Sequence, residues 1–191
     1  MNTNLAFNDE IYDELIDGQI IMMSPSPTAN HFHAAGNIYT IFNNYLKGKK
    51  CTPFMDGFDL YLSEKNRFKP DMMIVCDSDK IKPDGVHGAP DLVVEVLSPG
   101  TMKRDKGYKK IAYEKAGVKE YWIVDTNNKS VEQYLLVNDT FILNEVYIIH
   151  PDYMLKKMTD EEKAAIITEF KCSLYDDLII KIEDIFERII K

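Results

Sequence analysis

The alternation of apolar and polar residues in the first quarter of the chain predicts two helices separated by a strand. Residues Asp9 to Leu15 have the composition of a short acidic helix, and the apolar run Gln19 to Met23 predicts a strand. From Thr28 to Leu46 the apolar residues recur at helical spacing, which predicts a long amphipathic helix. The apolar face of that helix comprises Phe32, Ala35, Ile38, Tyr39, Phe42, Tyr45 and Leu46.

Three runs in the middle of the chain predict strands, and they span Phe58 to Leu62, Asp71 to Cys76 and Asp91 to Leu97. The last two are mostly apolar, which is typical of central strands buried on both faces. A helix from Met102 to Ala116 and a strand from Glu120 to Asp125 follow, so we expect a right-handed βαβ crossover. Together these elements predict an α/β fold with a mixed sheet.

Beyond the crossover, the pattern predicts a hairpin and a partly helical tail. Val131 to Val137 and Phe141 to Ile149 flank the turn residues Asn138-Asp139 and predict the hairpin. Thr159 to Glu162 form a capping box that opens a short helix. The segment from Leu178 to Ile190 alternates in polarity and then takes on helical spacing.

The composition is that of a soluble globular protein with an excess of acidic residues. Of the 191 residues, 45% are hydrophobic and 28% are charged, which excludes a disordered chain, a collagen and a coiled coil. At about 150 residues per domain, this length predicts a single domain over 1–191, with a core at about 10–150 and a C-terminal elaboration over 151–191. The net charge of −8 means that nucleic acid must be bound through a local basic patch.

The cysteines and the N-terminal residues favour a reducing compartment. Cys51, Cys76 and Cys172 are widely spaced and form no C-x-x-C pair, which argues against a disulfide framework and against a zinc site. Met1 to Asn8 lack the pattern of a signal peptide, and no apolar run reaches the roughly 18 residues of a membrane span. We therefore expect a cytoplasmic protein without a membrane segment.

One charged residue interrupts the most apolar predicted strand. Glu95 lies within Leu92 to Leu97, where a buried carboxylate without a partner is costly. Strand alternation places Glu95 on the same face as Val93, and Asp71 begins the preceding apolar strand. Two converging carboxylates can hold Mg²⁺ together with water and phosphate oxygens. The alternatives are a buried ion pair for Glu95 and turn chemistry for Asp71 and Asp91, of which Asp91 is mainly structural.

The helix after this strand carries a dense basic cluster. On a helical wheel, Lys109 flanks the sheet-facing stripe and can reach toward Glu95, where an ammonium group would stabilise a pentavalent phosphate or orient water. The alternative is a snorkelling surface lysine. The predicted stripe comprises Arg104, Tyr108, Ile111, Ala112 and Lys115, with Asp105, Lys109 and Ala116 at its edge. The predicted phosphate-contact cluster comprises Lys103, Arg104, Lys106, Lys109 and Lys110.

His31 and Glu14 are weaker candidates. His31 shares a helix face with Ala35 and Ile38, so it can point inward, where the alternative is a hydrogen-bonded core histidine. Glu14 belongs to the predicted acidic helix, where a solvated side chain is the simpler interpretation.

Several short motifs follow one another in a fixed order along the chain. They include Ile16-Asp17-Gly18-Gln19, Lys69-Pro70-Asp71, Ala89 to Pro99, then Asp105, Lys109, Tyr113 and Glu120 to Asp125. This series resembles the Uma-type restriction endonuclease family of the PD-(D/E)XK nuclease superfamily. The resemblance covers Glu10 to about Val137, and the order of the whole set makes it specific.

The resemblance implies a restriction-endonuclease-like core, with a mixed central β-sheet flanked by helices, and Mg²⁺-dependent or Mn²⁺-dependent hydrolysis of DNA. Carried over by position, Asp71 would bind the metal and Glu95 would be the acid of the E-x-K motif. Leu97 stands where that motif has its lysine, so Lys109 is the catalytic lysine that matches the family. Glu14 and His31 match recurrent family positions and could lie near the metal.

Other functions stay open. The missing E-x-K lysine and the acidic charge also fit a nuclease-fold module that binds nucleic acid or a partner protein without cutting. The weakest alternative is a metal-independent hydrolase that uses Asp71 and Glu95 as acid and base. RNA in place of DNA stays open as the substrate. By analogy with enzymes of this fold that cut both strands of a duplex, we expect a homodimer.

Overall fold

The structure is a computed structural model, and it describes residues 13–22 and 27–190. Its early elements are β1 (Asp13–Ile16), β2 (Gln19–Met22), α1 (Ala29–Leu46), β3 (Thr52–Met55), β4 (Leu60–Ser63), β5 (Asn66–Phe68), β6 (Met72–Val75), a 3₁₀ turn (Ser78–Lys80), β7 (Ile81–Lys82), β8 (Gly85–His87) and β9 (Leu92–Val96). The later ones are α2 (Met102–Arg104), a π-helical turn (Asp105–Lys109), α3 (Lys110–Ala116), β10 (Glu120–Asp125), β11 (Ser130–Val137), β12 (Thr140–Ile148), α4 (Asp152–Leu155), α5 (Asp160–Ala164), β13 (Glu169–Lys171), β14 (Ile179–Lys181) and α6 (Ile182–Ile185).

A mixed six-stranded sheet forms the centre of the fold, with strand order β12-β11-β10-β9-β6-β3. Strands β9 and β10 run parallel, and the helical segment between them makes the predicted crossover. The other neighbours in this sheet are antiparallel. These features confirm the predicted α/β fold with a mixed central sheet flanked by helices.

A second six-stranded sheet, with strand order β2-β1-β5-β4-β8-β7, was not predicted. Its strands β2 and β4 overlap the predicted strands Gln19 to Met23 and Phe58 to Leu62, but the others are two to four residues long, too short to give a clear alternation of apolar and polar residues. Strands β13 and β14 form a separate two-stranded ribbon. The second sheet matters for function because β1 brings a buried acidic residue toward the central sheet.

A hydrophobic core lies on each face of the central sheet. On one face, Ile38 and Phe42 of α1 pack with Val94 and Trp122. The rings of Phe42 and Trp122 lie 5.7 Å apart between centroids. On the other face, Val93 of β9 packs in a cluster that includes aromatic side chains of the crossover helix and β10. Burying each large apolar side chain contributes about 2 kcal/mol, so these two cores fix β9 between them.

The N-terminal prediction of a helix is wrong in the part of it that the structure describes. Asp13 to Ile16 form a strand that pairs with β2 through a tight turn at Asp17-Gly18, where both residues have positive φ. Asp9 to Tyr12 and Met23 lie outside the described residues. The prediction for α1 is confirmed, with Thr28 as its N-cap, although Phe32 is 62% exposed rather than part of the apolar face.

The expectation of unpaired cysteines is also wrong, because Cys51 and Cys76 form a disulfide. Thr52 pairs with Val75 across β3 and β6, so the two cysteines lie opposite each other just beyond this pairing. The sequence did not reveal the bond because β3 was not predicted. Cys172 is free and buried.

The C-terminal predictions are confirmed in outline. β11 and β12 form the hairpin, and Thr159 and Glu162 make the reciprocal hydrogen bonds of a capping box. The tail contains β14 followed by the short helix α6. Within residues 13–22 and 27–190, no helix combines the length and the apolar character that a membrane crossing requires.

Candidate active site

Asp71 and Glu95 lie across from each other on neighbouring antiparallel strands of the central sheet. Met72 pairs with Val94, and this register places Asp71 directly opposite Glu95. Met73 and Val93, which share their strand faces with Asp71 and Glu95, belong to the same core. The sheet therefore brings together the two carboxylates that the sequence singled out.

Asp71 receives its hydrogen bonds on one oxygen. Its Oδ2 accepts the backbone N–H of Val96 at 2.6 Å and lies 3.2 Å from Nε2 of His31. No donor among the described residues reaches Oδ1. Burial lowers the pKa of His31, but the hydrogen bond to Asp71 and the charges of nearby carboxylates outweigh this effect and raise the pKa. His31 therefore holds Asp71 from the N-terminal turn of α1.

Glu95 is also bonded on one oxygen. Its Oε1 accepts a hydrogen bond from Nζ of Lys109 at 3.0 Å and from the hydroxyl of Tyr113 at 2.7 Å. No donor among the described residues reaches Oε2. Burial raises the pKa of Glu95 well above its usual range, the charge of Lys109 opposes that shift, and the nearby carboxylates reinforce it.

Lys109 is buried among three carboxylates, with only 2% of the residue exposed. Its Nζ lies 2.8 Å from Oε1 of Glu14, 3.0 Å from Oε1 of Glu95 and 3.6 Å from Oδ1 of Asp105. Burial lowers the pKa of Lys109, but the charges of Glu95, Glu14 and Asp105 outweigh that effect and raise it far above its usual range. Lys109 is therefore a fixed ammonium ion at neutral pH.

The face that the crossover helix buries differs from the predicted stripe. Asp105, Lys109 and Tyr113, spaced four residues apart, are buried, whereas Ile111 is 50% exposed and Lys115 is exposed. The π-helical turn explains the difference, because it holds more residues per turn than the α-helix that the wheel assumed. This turn rotates Lys109 from the edge of the predicted stripe to the centre of the buried face.

Glu14 is a buried strand residue, and the interpretation as a solvated helix residue is wrong. It lies on β1 and is fully buried. Besides contacting Lys109, its Oε1 accepts the backbone N–H of Lys69 at 3.3 Å. Its Oε2 lies 3.7 Å from the guanidinium of Arg104, which exceeds hydrogen-bond distance. The second sheet thus supplies a third carboxylate to the site.

Several buried carboxylate oxygens of this cluster accept no hydrogen bond of ordinary geometry from the part of the chain that the structure describes. They are Oε2 of Glu14 and both side-chain oxygens of Asp105. Burial raises the pKa of Asp105, and the charge of Lys109 opposes that shift. Asp105 was not a predicted site residue, although its spacing of four from Lys109 was visible in the sequence. The cluster is therefore rich in negative charge and short of donors.

The donor set of the two main carboxylates fits one kind of divalent-cation site. Within residues 13–22 and 27–190, no group of three or more His, Cys, Asp or Glu side chains is arranged to hold a metal. However, Asp71 and Glu95 each leave one oxygen without a described donor. Mg²⁺ binds through one or two carboxylates and keeps several waters. These residues therefore fit a hydrated Mg²⁺ or Mn²⁺, and they do not fit a cage made of protein ligands alone.

The predicted basic cluster is divided by the helix. Arg104 turns inward, toward the buried carboxylates. Lys106 and Lys110 turn toward β11, where Nζ of Lys106 lies 2.6 Å from Oε1 of Glu132 and Nζ of Lys110 lies 3.7 Å from the ring centre of Tyr134. Both lysines thus have partners on the surface of the protein.

Two other candidates lie apart from the buried cluster. Lys103 is exposed on the surface of the helix. Asp91 precedes β9, at the opposite end of this strand from Glu95. Its oxygens accept the backbone N–H of Cys76 and the ammonium of Lys119, each at 2.7 Å. These bonds explain Asp91 as a structural residue.

Comparisons with known proteins agree with this architecture. In the crystal structure of "a putative nuclease belonging to DUF820" from Anabaena variabilis ATCC 29413, the fold is similar, with a TM-score of 0.67, 19% sequence identity and coverage of 91% of this chain and 89% of that one. An uncharacterized protein, slr1290, of Synechocystis sp. is 30% identical over 135 residues, 70% of this chain. The aligned region spans 64% of the length of that relative. The model of the Uma2 family, described as "Putative restriction endonuclease", matches residues 3–155. This chain belongs to the Uma2 family.

Proposed function

We propose that the protein is a metal-dependent endonuclease that hydrolyses phosphodiester bonds of DNA. The observation that carries the proposal is the position of Asp71 opposite Glu95, with the Lys109 ammonium 3.0 Å from the Glu95 carboxylate. Membership of the Uma2 family, described as "Putative restriction endonuclease", and a fold shared with the DUF820 protein from Anabaena variabilis support this proposal.

In this proposal, Asp71 and Glu95 bind Mg²⁺ or Mn²⁺. Such an ion, when bound, polarises a phosphoryl oxygen and lowers the pKa of a bound water. His31 and the backbone N–H of Val96 orient Asp71 through its Oδ2. The two carboxylates would repel a phosphodiester on their own, so binding of the substrate depends on the cation.

Lys109 has the role of a fixed positive charge. Its pKa lies far above neutrality, so the amine cannot accept a proton from water at neutral pH. A buried ammonium 3.0 Å from a proposed metal ligand would stabilise the charge that develops on the phosphate oxygens in the transition state. Lys109 thereby does from the crossover helix what Leu97, two residues after Glu95, cannot do.

A cleavage assay with plasmid and linear duplex DNA tests the proposal. We expect the wild-type protein to cut DNA with Mg²⁺ or Mn²⁺ and to stop cutting in EDTA. Glu95→Ala removes a metal ligand and should abolish cleavage, whereas Lys109→Ala should reduce cleavage more than binding. Asp91→Asn is the matched control, because it changes a carboxylate at the other end of the same strand.

The outcomes separate the proposal from its alternatives. Cleavage that persists in EDTA but needs Glu95 would indicate a metal-independent hydrolase. Binding without cleavage under all conditions would support the binding module, which the missing E-x-K lysine favours. Equal cleavage by wild type and Glu95→Ala would contradict both catalytic proposals, and an RNA substrate in parallel assigns the nucleic acid.

The proposal includes a single domain over 1–191, a homodimer and a cytoplasmic location. Cutting both strands of a duplex favours a two-fold dimer, and light scattering at micromolar concentration tests it. A structural disulfide is unusual in the cytosol, so the Cys51–Cys76 bond argues against the cytoplasmic location. Thiol labelling of protein from lysed cells, with and without a reductant, tests whether that bond forms in the cell.

A further inference from the structure

Oε1 of Glu95 receives two hydrogen bonds, and one of them comes from a neutral hydroxyl. We propose that Tyr113 is a positioning residue of the metal site. Together with Lys109, Tyr113 occupies Oε1 of Glu95 and so leaves Oε2 for the cation. The inference rests on the proposed function and assigns a part of the site that the E-x-K pattern does not include.

Tyr113 is held in one orientation. It is fully buried on the crossover helix, and its ring packs against Phe68 and Tyr121, with centroids 5.4 Å and 5.3 Å away. Its hydroxyl donates to Oε1 of Glu95 at 2.7 Å. Because the ring is enclosed on two sides by other aromatic rings, the hydroxyl is a fixed donor rather than a mobile one.

A neutral donor can orient the Glu95 carboxylate without repelling a metal ion, whereas a second cation would repel it. Lys109 alone could bridge both oxygens of Glu95 and compete with a metal for them. The hydroxyl of Tyr113 binds the oxygen that Lys109 already contacts, and it adds no charge to oppose an incoming cation. Groups that orient metal-binding carboxylates in this way contribute about 10-fold to 100-fold to metal affinity.

Tyr121 offers a matched control. It is also fully buried, its ring lies next to that of Tyr113, and its hydroxyl donates to the backbone carbonyl of Asp105 at 3.0 Å. Tyr121→Phe therefore deletes the same group from the same core as Tyr113→Phe. Only Tyr113→Phe removes a hydrogen bond from a proposed metal ligand.

The test is titration of Mn²⁺ into the full chain by calorimetry, with thermal unfolding measured alongside. We expect Tyr113→Phe to weaken Mn²⁺ binding by about 10-fold or more and Tyr121→Phe to leave it within about twofold of wild type. A merely structural role for Tyr113 would lower the thermal stability of both variants and leave both affinities unchanged. That result would overturn the inference.

Glu95→Gln separates this inference from the proposed function. If wild type binds Mn²⁺, Glu95→Gln does not and Tyr113→Phe binds as wild type does, only the role of Tyr113 fails. If wild type binds no Mn²⁺, both fail. If Tyr113→Phe does not fold, 3-fluorotyrosine at position 113 keeps the hydroxyl and changes its acidity. A change in Mn²⁺ affinity there, but not with 3-fluorotyrosine at position 121, supports the inference, and no change overturns it.

Discussion

Two buried glutamates on neighbouring parallel strands have opposite surroundings. Glu95 on β9 and Glu120 on β10 face opposite sides of the central sheet, toward its two cores. Glu120 accepts hydrogen bonds from neutral donors on both oxygens, whereas Glu95 contacts a lysine and has one oxygen that no donor among the described residues reaches. Glu95 lies within an apolar strand and Glu120 begins one, so a buried carboxylate on an apolar strand does not by itself identify a site.

Both oxygens of the Glu120 carboxylate accept hydrogen bonds from other parts of the protein. Its Oε1 accepts hydrogen bonds from the indole of Trp122 and, at 2.6 Å, from the amide of Gln133. Its Oε2 accepts the backbone N–H of Ser173 at 2.8 Å, the hydroxyl of the same serine and the thiol of Cys172. A carboxylate with this many donors has no oxygen left to offer a cation, so its role is structural.

On the Glu95 side of the sheet, the buried carboxylate oxygens outnumber the described groups that donate hydrogen bonds to them. Around Lys109, Oε2 of Glu14 and both side-chain oxygens of Asp105 accept no hydrogen bond of ordinary geometry from residues 13–22 and 27–190. Such groups are costly to bury, and they persist in proteins mainly where an ion or a reaction uses them. What distinguishes a candidate site from a structural carboxylate is therefore the shortage of donors.

The largest expected effect is the loss of cleavage in Glu95→Gln. The amide keeps the shape of the side chain but removes the charge that a cation needs, so we expect metal-dependent cleavage to fall by at least about 100-fold. Stability should stay near that of wild type, because Lys109 keeps Glu14 and Asp105 as partners. A plasmid-nicking assay and a urea unfolding curve measure both. Unchanged cleavage would show that Glu95 has no catalytic role.

Glu120→Gln should lower the stability of the protein and leave its metal affinity unchanged. Its amide group would face donors, and at least one buried N–H or O–H would lose its acceptor, which costs about 3 kcal/mol of unfolding free energy. Metal affinity should not change, since Glu120 lies on the other face of the sheet. Urea unfolding and a Mn²⁺ titration test the pair of expectations. A variant as stable as wild type would mean that Glu120 is not a structural carboxylate.

Asp105→Asn should stabilise the protein at neutral pH by about 1 kcal/mol, because burial disfavours the charged Asp105 carboxylate more than the Lys109 ammonium, 3.6 Å away, favours it. The folded-state pKa of Asp105 is raised, so the folded protein binds this proton more tightly than the unfolded chain does. Wild type therefore loses stability as pH rises from the ordinary aspartate pKa to the raised one.

Unfolding in EDTA at about pH 4 and about pH 7 tests this expectation. The gain from Asp105→Asn should be small at the lower pH and larger at the higher one. A gain that is the same at both values would show that the charge of Asp105 is compensated in the folded protein.

The smallest expected effect comes from the exposed basic residues. Lys103→Ala should weaken DNA binding modestly and make the slope of log affinity against log salt shallower by about 1. Lys106→Ala should do less, because Lys106 already pairs with Glu132. Fluorescence anisotropy over a range of salt concentrations measures both slopes. Equal slopes in all three proteins would show that this surface does not contact phosphates.

The sequence was sufficient for the strands that carry the two main carboxylates. Period-two alternation put Glu95 on a definite face, and the Pro-Asp start of the neighbouring strand singled out Asp71. The antiparallel register of β6 and β9, which places Asp71 opposite Glu95, came from the structure. Lys109 was also found from its position on the helix, although its degree of burial was not. Local periodicity fixes such positions because it acts over a few residues.

The missed features depend on contacts that periodicity does not encode. A π-helical turn changed which face of the crossover helix is buried, and so the role of Asp105 stayed hidden. Glu14 was assigned to a helix because its strand has only four residues and one of its two partners, β5, lies far along the chain. The Cys51–Cys76 bond was missed for the same reason, since it depends on an unpredicted strand pairing.

The donors to Glu120 have a consequence for how the chain can be shortened. Cys172 and Ser173 belong to the segment after residue 150, and the nearby Phe170 ring packs 5.1 Å from that of Trp122. A protein truncated after residue 150 would expose the Trp122 ring. Of the hydrogen bonds to Glu120 described above, it would keep only those from Trp122 and Gln133. The C-terminal segment thus covers one face of the sheet, and expression of the core without it should yield an insoluble product.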